Sequence, residues 1–572
     1  MPFFNTKPYK PREFLPETID LAQIETLQSL YNRLHEHING VRTASDLESW
    51  LDHHGELSAA IDQTRTERYI AMTCDTTDSV AEQRYLHFIE TIDPWLKPIE
   101  FEIKKKLAQH PAFSDLGESY AVFKRKIQNA IALFHPDNIE RETQLSKLSQ
   151  RYQKIMGSLT ARFDGEEQTL PRLSRVLEEP NRDRREKAWE AIAQSRLAHA
   201  EELEVLFNEM VQLRHRIART AHFSDYRDYA FALCERFDYS PKDCEAFHSS
   251  IESHFVPLYR SLQQERQTTL GFNRLRPWDL AVDPHLRPPL RPFKTTEELS
   301  QKTLQVFEKL DSRLAAYYKI LCDGRLMDLD NRKGKAPGGY QSTLEEARLP
   351  FIFMNAVGTQ RDVETLFHEA GHAFHTLAAR DQALYAYRGA PIEFCEVASM
   401  SMELLAGDYL DLFYNEEDKR RACRDHLEGI VKFFPWMAAV DAFQHWIYTN
   451  PDHSAEQRRQ SWLALQNRFG GIEDYSGYEL VRATLWHRQL HVFEYPFYYV
   501  EYGIAQLGAL QLWRRFRAAP REALDFYIEA LRLGGSRPLP ELFRAAGLEF
   551  DFSSQTIAPL VELLKEQLQN LR

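Results

Sequence analysis

Cysteine is scarce in this chain of 572 residues: six in all, at Cys74, Cys234, Cys244, Cys322, Cys395 and Cys423, with no C-x-x-C pair. So sparse a set excludes a disulfide frame and a zinc knuckle, and reads as reduced thiols in a cytoplasmic protein. Long apolar runs are missing too; no stretch approaches the roughly 18 apolar residues of a membrane span. The N-terminal MPFFNTKPYKPREFLPETID has no apolar h-region and is broken by Pro2, Pro8, Pro11 and Pro16, which argues against a secretory signal. Nor is positive charge in excess. Lys and Arg number 71 against 84 Asp and Glu, a net −13, so an electrostatic nucleic-acid partner is not expected. There is no repeat of fixed period and no low-complexity tract.

What is abundant is core-forming material. The 35 Phe, 25 Tyr and 9 Trp exclude a disordered chain. Only 23 Gly and 27 Pro punctuate the sequence, and most segments between them have helical periodicity. In EELEVLFNEMVQLRHRIART, for example, Leu203, Leu206, Phe207, Met210, Leu213 and Ile217 fall at the spacing of one buried helix face. Residues 1–200 read as an almost wholly helical N-terminal region, and 201–572 as the part that carries the chemistry. Two stretches break the pattern. The proline-rich 271–294 cannot be a continuous helix. Residues 325–357 combine turns at Asn331 and Gly334, a Pro337-Gly338-Gly339 corner and the apolar run Leu349 to Val357, which predicts a small β-element ending in a strand.

Directly after that strand stands TLFHEAGHAFHTLAA. His368 and His372 are four apart, so on a helix both imidazoles leave one face and can converge on one cation. Glu369, beside the first of them, is placed to take a proton from a water activated by that cation. Gly371 would let another backbone approach closely. A catalytic zinc site needs a third protein ligand. The extended metzincin spacing fails, because His375 and Ala378 stand where a Gly and a His are required, and the inverted H-x-x-E-H order is absent. The following PIEFCEVASMSMELL offers Glu393, Glu396 and Glu403. Glu396 and Glu403 are two turns apart on one face, so Glu396 could bind the metal while Glu403 orients a ligand histidine. Glu393 sits near the helix start, where a carboxylate also suits the helix dipole.

HEAGHAFH followed by IEFCEVASMSMELL resembles the thimet-oligopeptidase-like family of zinc metallopeptidases, in particular its oligoendopeptidase F and Pz-peptidase branch. LGFNRLRPWDL (270–280), DLDNRKGKAPGGY (328–340), PFIFMNAVGT (350–359), VDAFQHWIYTNP (440–451) and HVFEYPFYYVEYGIAQ (491–506) extend the likeness in order and spacing. The resemblance implies a mainly α fold: a two-lobed helical ellipsoid with a deep substrate channel and a small β-sheet beside the H-E-x-x-H helix. It implies one zinc ion per chain on His368, His372 and Glu396, with Glu369 as base. It further implies that the strand Phe351–Val357 is an edge strand pairing with substrate backbone, through Phe353, Asn355, Val357 and Gly358. Short unstructured peptides, cut internally, are the expected substrates, because a closed channel would exclude folded proteins. Cobalt or manganese could also occupy a His₂Glu site in vitro. Oligomeric state is left undetermined.

The C-terminal WHRQLHVFEYPFYYVEYG brings together groups that can donate hydrogen bonds to a developing oxyanion. Tyr495, Tyr499 and Tyr502 would share a face if helical, although Pro496 predicts a helix start near there. The resemblance makes His491, Tyr499 and Tyr502 the donors, with Tyr498 in reserve; the His-to-Tyr spacing differs by one from the thimet-oligopeptidase branch. KGKAPGG lacks P-loop spacing and reads as a hairpin turn. Cys395 and His375 read as packing or supporting groups. Two rival classes remain: a non-catalytic peptide binder of the same fold, and an exopeptidase.

Overall fold

The computed structural model describes Phe4 and residues 6–572. It is mainly helical with two small sheets, and its residues fall into two compact units, each discontinuous in sequence. Unit 1 comprises 1–132, 290–422 and 505–550; unit 2 comprises 133–289, 423–504 and 551–572. The division therefore does not follow the expected boundary at residue 200. Long-range packing, which sequence position does not reveal, gathers each unit from three segments. Among the described residues no helix is long and apolar enough to cross a membrane.

Unit 2 contains the element the helical reading of 1–200 misses. Strands β1 (Thr160–Phe163) and β2 (Glu166–Thr169) pair antiparallel across Asp164 and Gly165, whose φ angles of 52° and 84° are both positive. Asp-Gly is the residue pair a tight hairpin turn favours, but the flanking strands are too short for their periodicity to register. The proline-rich 271–294 holds only a short 3-10 turn, Pro277–Asp279. It is pinned by Arg185, whose wholly buried guanidinium donates to Trp278 O at 3.0 Å and Asp279 at 2.9 Å.

In unit 1 the β-element of 325–357 resolves into β3 (Met327–Asp330), β4 (Tyr340–Leu344) and β5 (Leu349–Ala356) in the order β3-β5-β4. β4 pairs antiparallel with β5 from Tyr340↔Phe353 to Leu344↔Leu349, and β3 runs parallel on the other side, Met327 facing Ile352. The apolar strand is thus central, not the edge the resemblance implied. Its continuous hydrophobic run is that of a strand covered on both sides. Phe353 is fully buried, stacked on Tyr340 at 4.7 Å. Asn355 donates to Ala336 O and Gly338 O at 2.7 and 3.0 Å, which closes the turn. Val357 and Gly358 lie past the strand end; Gly358 has φ +87° and a Cβ there would meet Phe293 O at 3.2 Å. That glycine serves a tight passage within unit 1.

The KGKAPGG segment is a turn but not the hairpin expected: β3 and β4, which it connects, do not pair with each other but lie on either side of β5. The Lys335 side chain is covered and its Nζ donates to Asp328 Oδ1 at 2.8 Å, Asp330 O at 2.8 Å and Met354 O at 2.5 Å, joining β3 to β5. Replacing Lys335 by Met keeps the stem and strands those acceptors without a donor. We expect Lys335→Met to lower stability by about 3–5 kcal/mol, measured by denaturant unfolding; a loss under about 1 kcal/mol would show that water replaces the clamp.

Candidate metal centre

The chain leaves β5 and enters the helix Gln360–Ala379 through a capping box: Thr359 accepts from Asp362 N, and Asp362 Oδ2 accepts from Thr359 N at 2.8 Å and Val357 N at 2.9 Å. Asp362 thereby fixes the helix start to the strand end. The helix carries His368 and His372 on one face, ring centroids 4.9 Å apart. The next helix, Ile392–Ala406, packs against it. Gly371 is the reason it can come so close. A Cβ on Gly371 would lie 2.5 Å from both Ala398 O and Ser399 Cα, a separation no side chain tolerates.

This contact brings Glu396 to the histidines. Its Oε2 lies 3.3 Å from His368 Nε2 and 3.6 Å from His372 Nε2, and the three side chains form a donor group within 4.8 Å. Such spacings suit ligands around one cation at about 2.0–2.2 Å from each. Ser399 Oγ donates to the same Glu396 oxygen at 2.9 Å. One helical turn beyond Ser399, Glu403 Oε1 meets His368 Nδ1 at 2.6 Å, leaving Nε2 turned to the cluster. Glu393, the alternative ligand, is buried outside the group.

The electrostatics match a site built for positive charge. Burial works against the imidazolium of His368, but hydrogen bonds and charge from Glu396 and Glu403 outweigh it and hold the ring well above its ordinary pKa. Burial lowers His372 to about 4, so it offers a lone pair. Burial also opposes the Glu396 carboxylate, yet His368, His372 and Ser399 together keep it below the usual range. Two carboxylates around one proton on His368 are the charge arrangement a divalent cation would complete. Glu369 stands outside the donor group. Burial pushes it up to about 7, against the pull of His368, and a Gln341 backbone N–H reaches its carboxylate. His375 is buried, its Nε2 has no hydrogen-bond partner, and burial lowers it to about 3. Cys395 donates to Ala390 O at 3.5 Å, and burial raises its thiol to about 12. His372, His375 and Cys395 line a cavity of about 130 Å³ with Gln341 and Thr343 of β4.

The aromatic cluster belongs to unit 2. His491 lies 4.8 Å from Tyr499, 5.9 Å from Tyr502 and 6.0 Å from Tyr498, ring centre to ring centre. The helix begins at Tyr499, after Phe497 at φ 69°. Tyr495 lies before the helix and is 57% exposed, so it does not share the face anticipated for it. Gln489, missed in the sequence, donates to His491 Nδ1 at 2.8 Å and is itself held by Trp436 Nε1 at 2.9 Å. That leaves His491 Nε2 as the N–H donor, and burial lowers the ring to about 4, which keeps it neutral. Tyr499 is pushed up to about 12 by burial and lines a cavity of about 540 Å³ with Trp189, Tyr259 and Trp436.

The profile of peptidase family M3 matches residues 175–560, and that of the peptidase M3 N-terminal domain matches 14–134. The chain belongs to peptidase family M3. The structure of Pz peptidase A with an inhibitor superposes with a TM-score of 0.88 and 29% identity, covering 98% of this chain and 99% of that one. Among curated relatives, oligopeptidase PepF of Bacillus subtilis is 24% identical over 405 residues, and an oligoendopeptidase F homolog of Lactococcus lactis is 23% identical over 410. These matches take in 69% and 70% of this chain, and 58% and 65% of the relatives' lengths.

Gly371→Ala tests whether the helix contact controls the site. The added methyl meets backbone, which cannot swing aside, so we expect stability to fall by at least about 1–3 kcal/mol and metal affinity with it. Thermal unfolding and metal titration of the variant measure both. Unchanged metal affinity would mean the donors do not depend on the close approach.

Proposed function

We propose that the chain is a zinc-dependent endopeptidase that cuts internal bonds of short, unstructured peptides. The observation that carries this reading is the convergence of His368, His372 and Glu396 with Glu369 beside them and outside the donor group. Membership of peptidase family M3 and the names of the oligopeptidase relatives support peptides as substrates. Zinc, when bound by His368, His372 and Glu396, supplies a Lewis acid for the scissile carbonyl and lowers the pKa of water toward about 7.

The residues of the chain do the rest. Glu403 fixes the His368 tautomer, and Ser399 fixes the orientation of Glu396. Glu369 takes a proton from the attacking water on its carboxylate and delivers it to the leaving amine nitrogen; a carboxyl raised by burial suits both halves of that task. His491, Tyr499 and Tyr502, with Tyr498 in reserve, are assigned as neutral donors to the developing oxyanion, supported by their mutual packing and the fixed His491 tautomer. Since β5 is central, the backbone that would take an added peptide strand is the outer edge of β4, whose Gln341 reaches Glu369.

Glu369→Gln should keep one zinc at the His368 site and lower turnover of a quenched peptide by about 10²–10⁴-fold. Retained turnover would sink the mechanism. Mass spectrometry of products from a mid-length peptide should show internal cuts; end-trimming would assign an exopeptidase, and no products a peptide binder.

Tyr502→Phe should lower kcat by about 10²-fold while leaving KM little changed. An unchanged kcat would pass the role to Tyr498 or Tyr499.

A further inference from the structure

A second cluster of metal-ligating side chains lies wholly within unit 2 and has no part in the proposed peptidase mechanism. Cys244 and His248 are one turn apart on the helix Pro241–Leu270, and Asp441 and His445 are one turn apart on Glu416–Thr449. Each helix thus contributes an i, i+4 pair, the same device that places His368 and His372. All four residues are buried: Cys244 is 1% exposed, His248 3%, Asp441 0% and His445 6%.

Donor atoms of Cys244, Asp441 and His445 all lie within 4.8 Å of one another. His445 Nε2 is 3.3 Å from Asp441 Oδ2, the spacing found between His368 and Glu396, yet the two are not aligned as a hydrogen bond. Asp441 Oδ1 and His445 Nδ1 also have no hydrogen-bond partner. A buried carboxylate oxygen and a buried imidazole left without partners are costly, by about 1–3 kcal/mol each. Hydrogen bonding within the cluster does not remove that cost. His248 Nε2 already meets Asp441 Oδ2 at 2.8 Å, and the nearby Arg236 is committed to Glu501 at 3.0 Å. Among the described residues the charged partners of Asp441 are imidazoles, not Lys or Arg.

We propose that Cys244, Asp441 and His445 bind a second divalent cation, zinc by donor type, and that His248 holds the Asp441 carboxylate in place. A thiolate, a carboxylate and an imidazole around a divalent cation sum to no net charge, which a wholly buried site requires. Thiolate and imidazole select a borderline-soft metal over magnesium or calcium. The two carboxylates that flank Cys244 are not placed as Glu369 is: Asp243 and Glu245 are exposed, Asp243 caps the helix by accepting from Ser240 N at 2.7 Å, and neither joins the donor group. The site is therefore structural, a clamp between two long helices acquired on folding.

The test counts metal and reads the thiolate. Zinc-saturated protein freed of loose metal should hold two zinc ions per chain; His372→Ala should hold one, and Cys244→Ser should hold one. In the cobalt-substituted protein a near-ultraviolet thiolate-to-cobalt charge-transfer band should appear in the unmodified chain and persist in His372→Ala. It should vanish in Cys244→Ser, because the catalytic donors include no sulfur. One zinc in the unmodified chain, or a cobalt-loaded protein without that band, would overturn the second site. Both readouts use the unmodified chain, so the conclusion survives if Cys244→Ser fails to fold. His372→Ala that keeps two zinc ions would instead overturn the His368 site.

Discussion

The catalytic geometry proposed for this chain depends on one steric constraint, the absence of a side chain at position 371. With the helix backbones 2.5 Å from where a Cβ would stand, Ile392–Ala406 lies close enough for Glu396, Ser399 and Glu403 to address the two histidines at once. A carboxylate side chain is short. If the second helix stood one methyl further out, Glu396 would lose its reach to His368 and His372, and Glu403 its 2.6 Å bond to His368. The capping box at Thr359 and Asp362 fixes the other end, so both the position of the first helix and its distance from the second are set by local chemistry.

The same contact creates an electrostatic demand. Glu396, Glu403 and Glu369 are drawn into a small buried volume with only imidazoles to balance them. Buried carboxylates without charge compensation either take up protons or recruit a cation. Here the burdens are unequal. Burial opposes the Glu396 carboxylate, but hydrogen bonds and charge from His368 and His372 keep it below the usual range, whereas burial outweighs the pull of His368 on Glu369 and raises it to about 7. This divergence between neighbouring carboxyl groups matches the separate roles proposed for them, Glu396 as ligand and Glu369 as acid–base residue.

What could be read from the sequence was what short-range geometry governs. The four-residue step from His368 to His372, the seven-residue step from Glu396 to Glu403 and the need for a glycine at 371 are properties of a helix face, and each reappears in the fold. Sheet order is different. β5 acquires β3 as a parallel neighbour through a crossover, and nothing in the residues 349–357 announces which side a partner will take. The resemblance therefore put an edge where the fold has a centre. The Lys335 clamp was hidden for a related reason: besides the Asp328 carboxylate its acceptors are backbone carbonyls, which leave no mark in a sequence. Gln489 escaped because a lone polar residue next to a His-rich motif looks like any surface glutamine.

The two histidine-containing clusters show how similar ligand geometry can serve different ends. Both draw on an i, i+4 pair of one helix and on side chains of a neighbouring helix, and both hold an imidazole 3.3 Å from a carboxylate oxygen. They differ in what surrounds the donors. His368 and His372 remain partly exposed, His372 borders a cavity, and the raised carboxyl of Glu369 is the proton carrier proposed for the site. Cys244, Asp441 and His445 are all buried, with Phe231 and Phe497 packed on His445 at 5.9 and 5.2 Å. Coordination geometry alone therefore does not make a hydrolytic centre. The proposed peptidase reading needs access and an uncommitted proton carrier as well, and of these two clusters the one built on the Gly371 contact is the one that offers both.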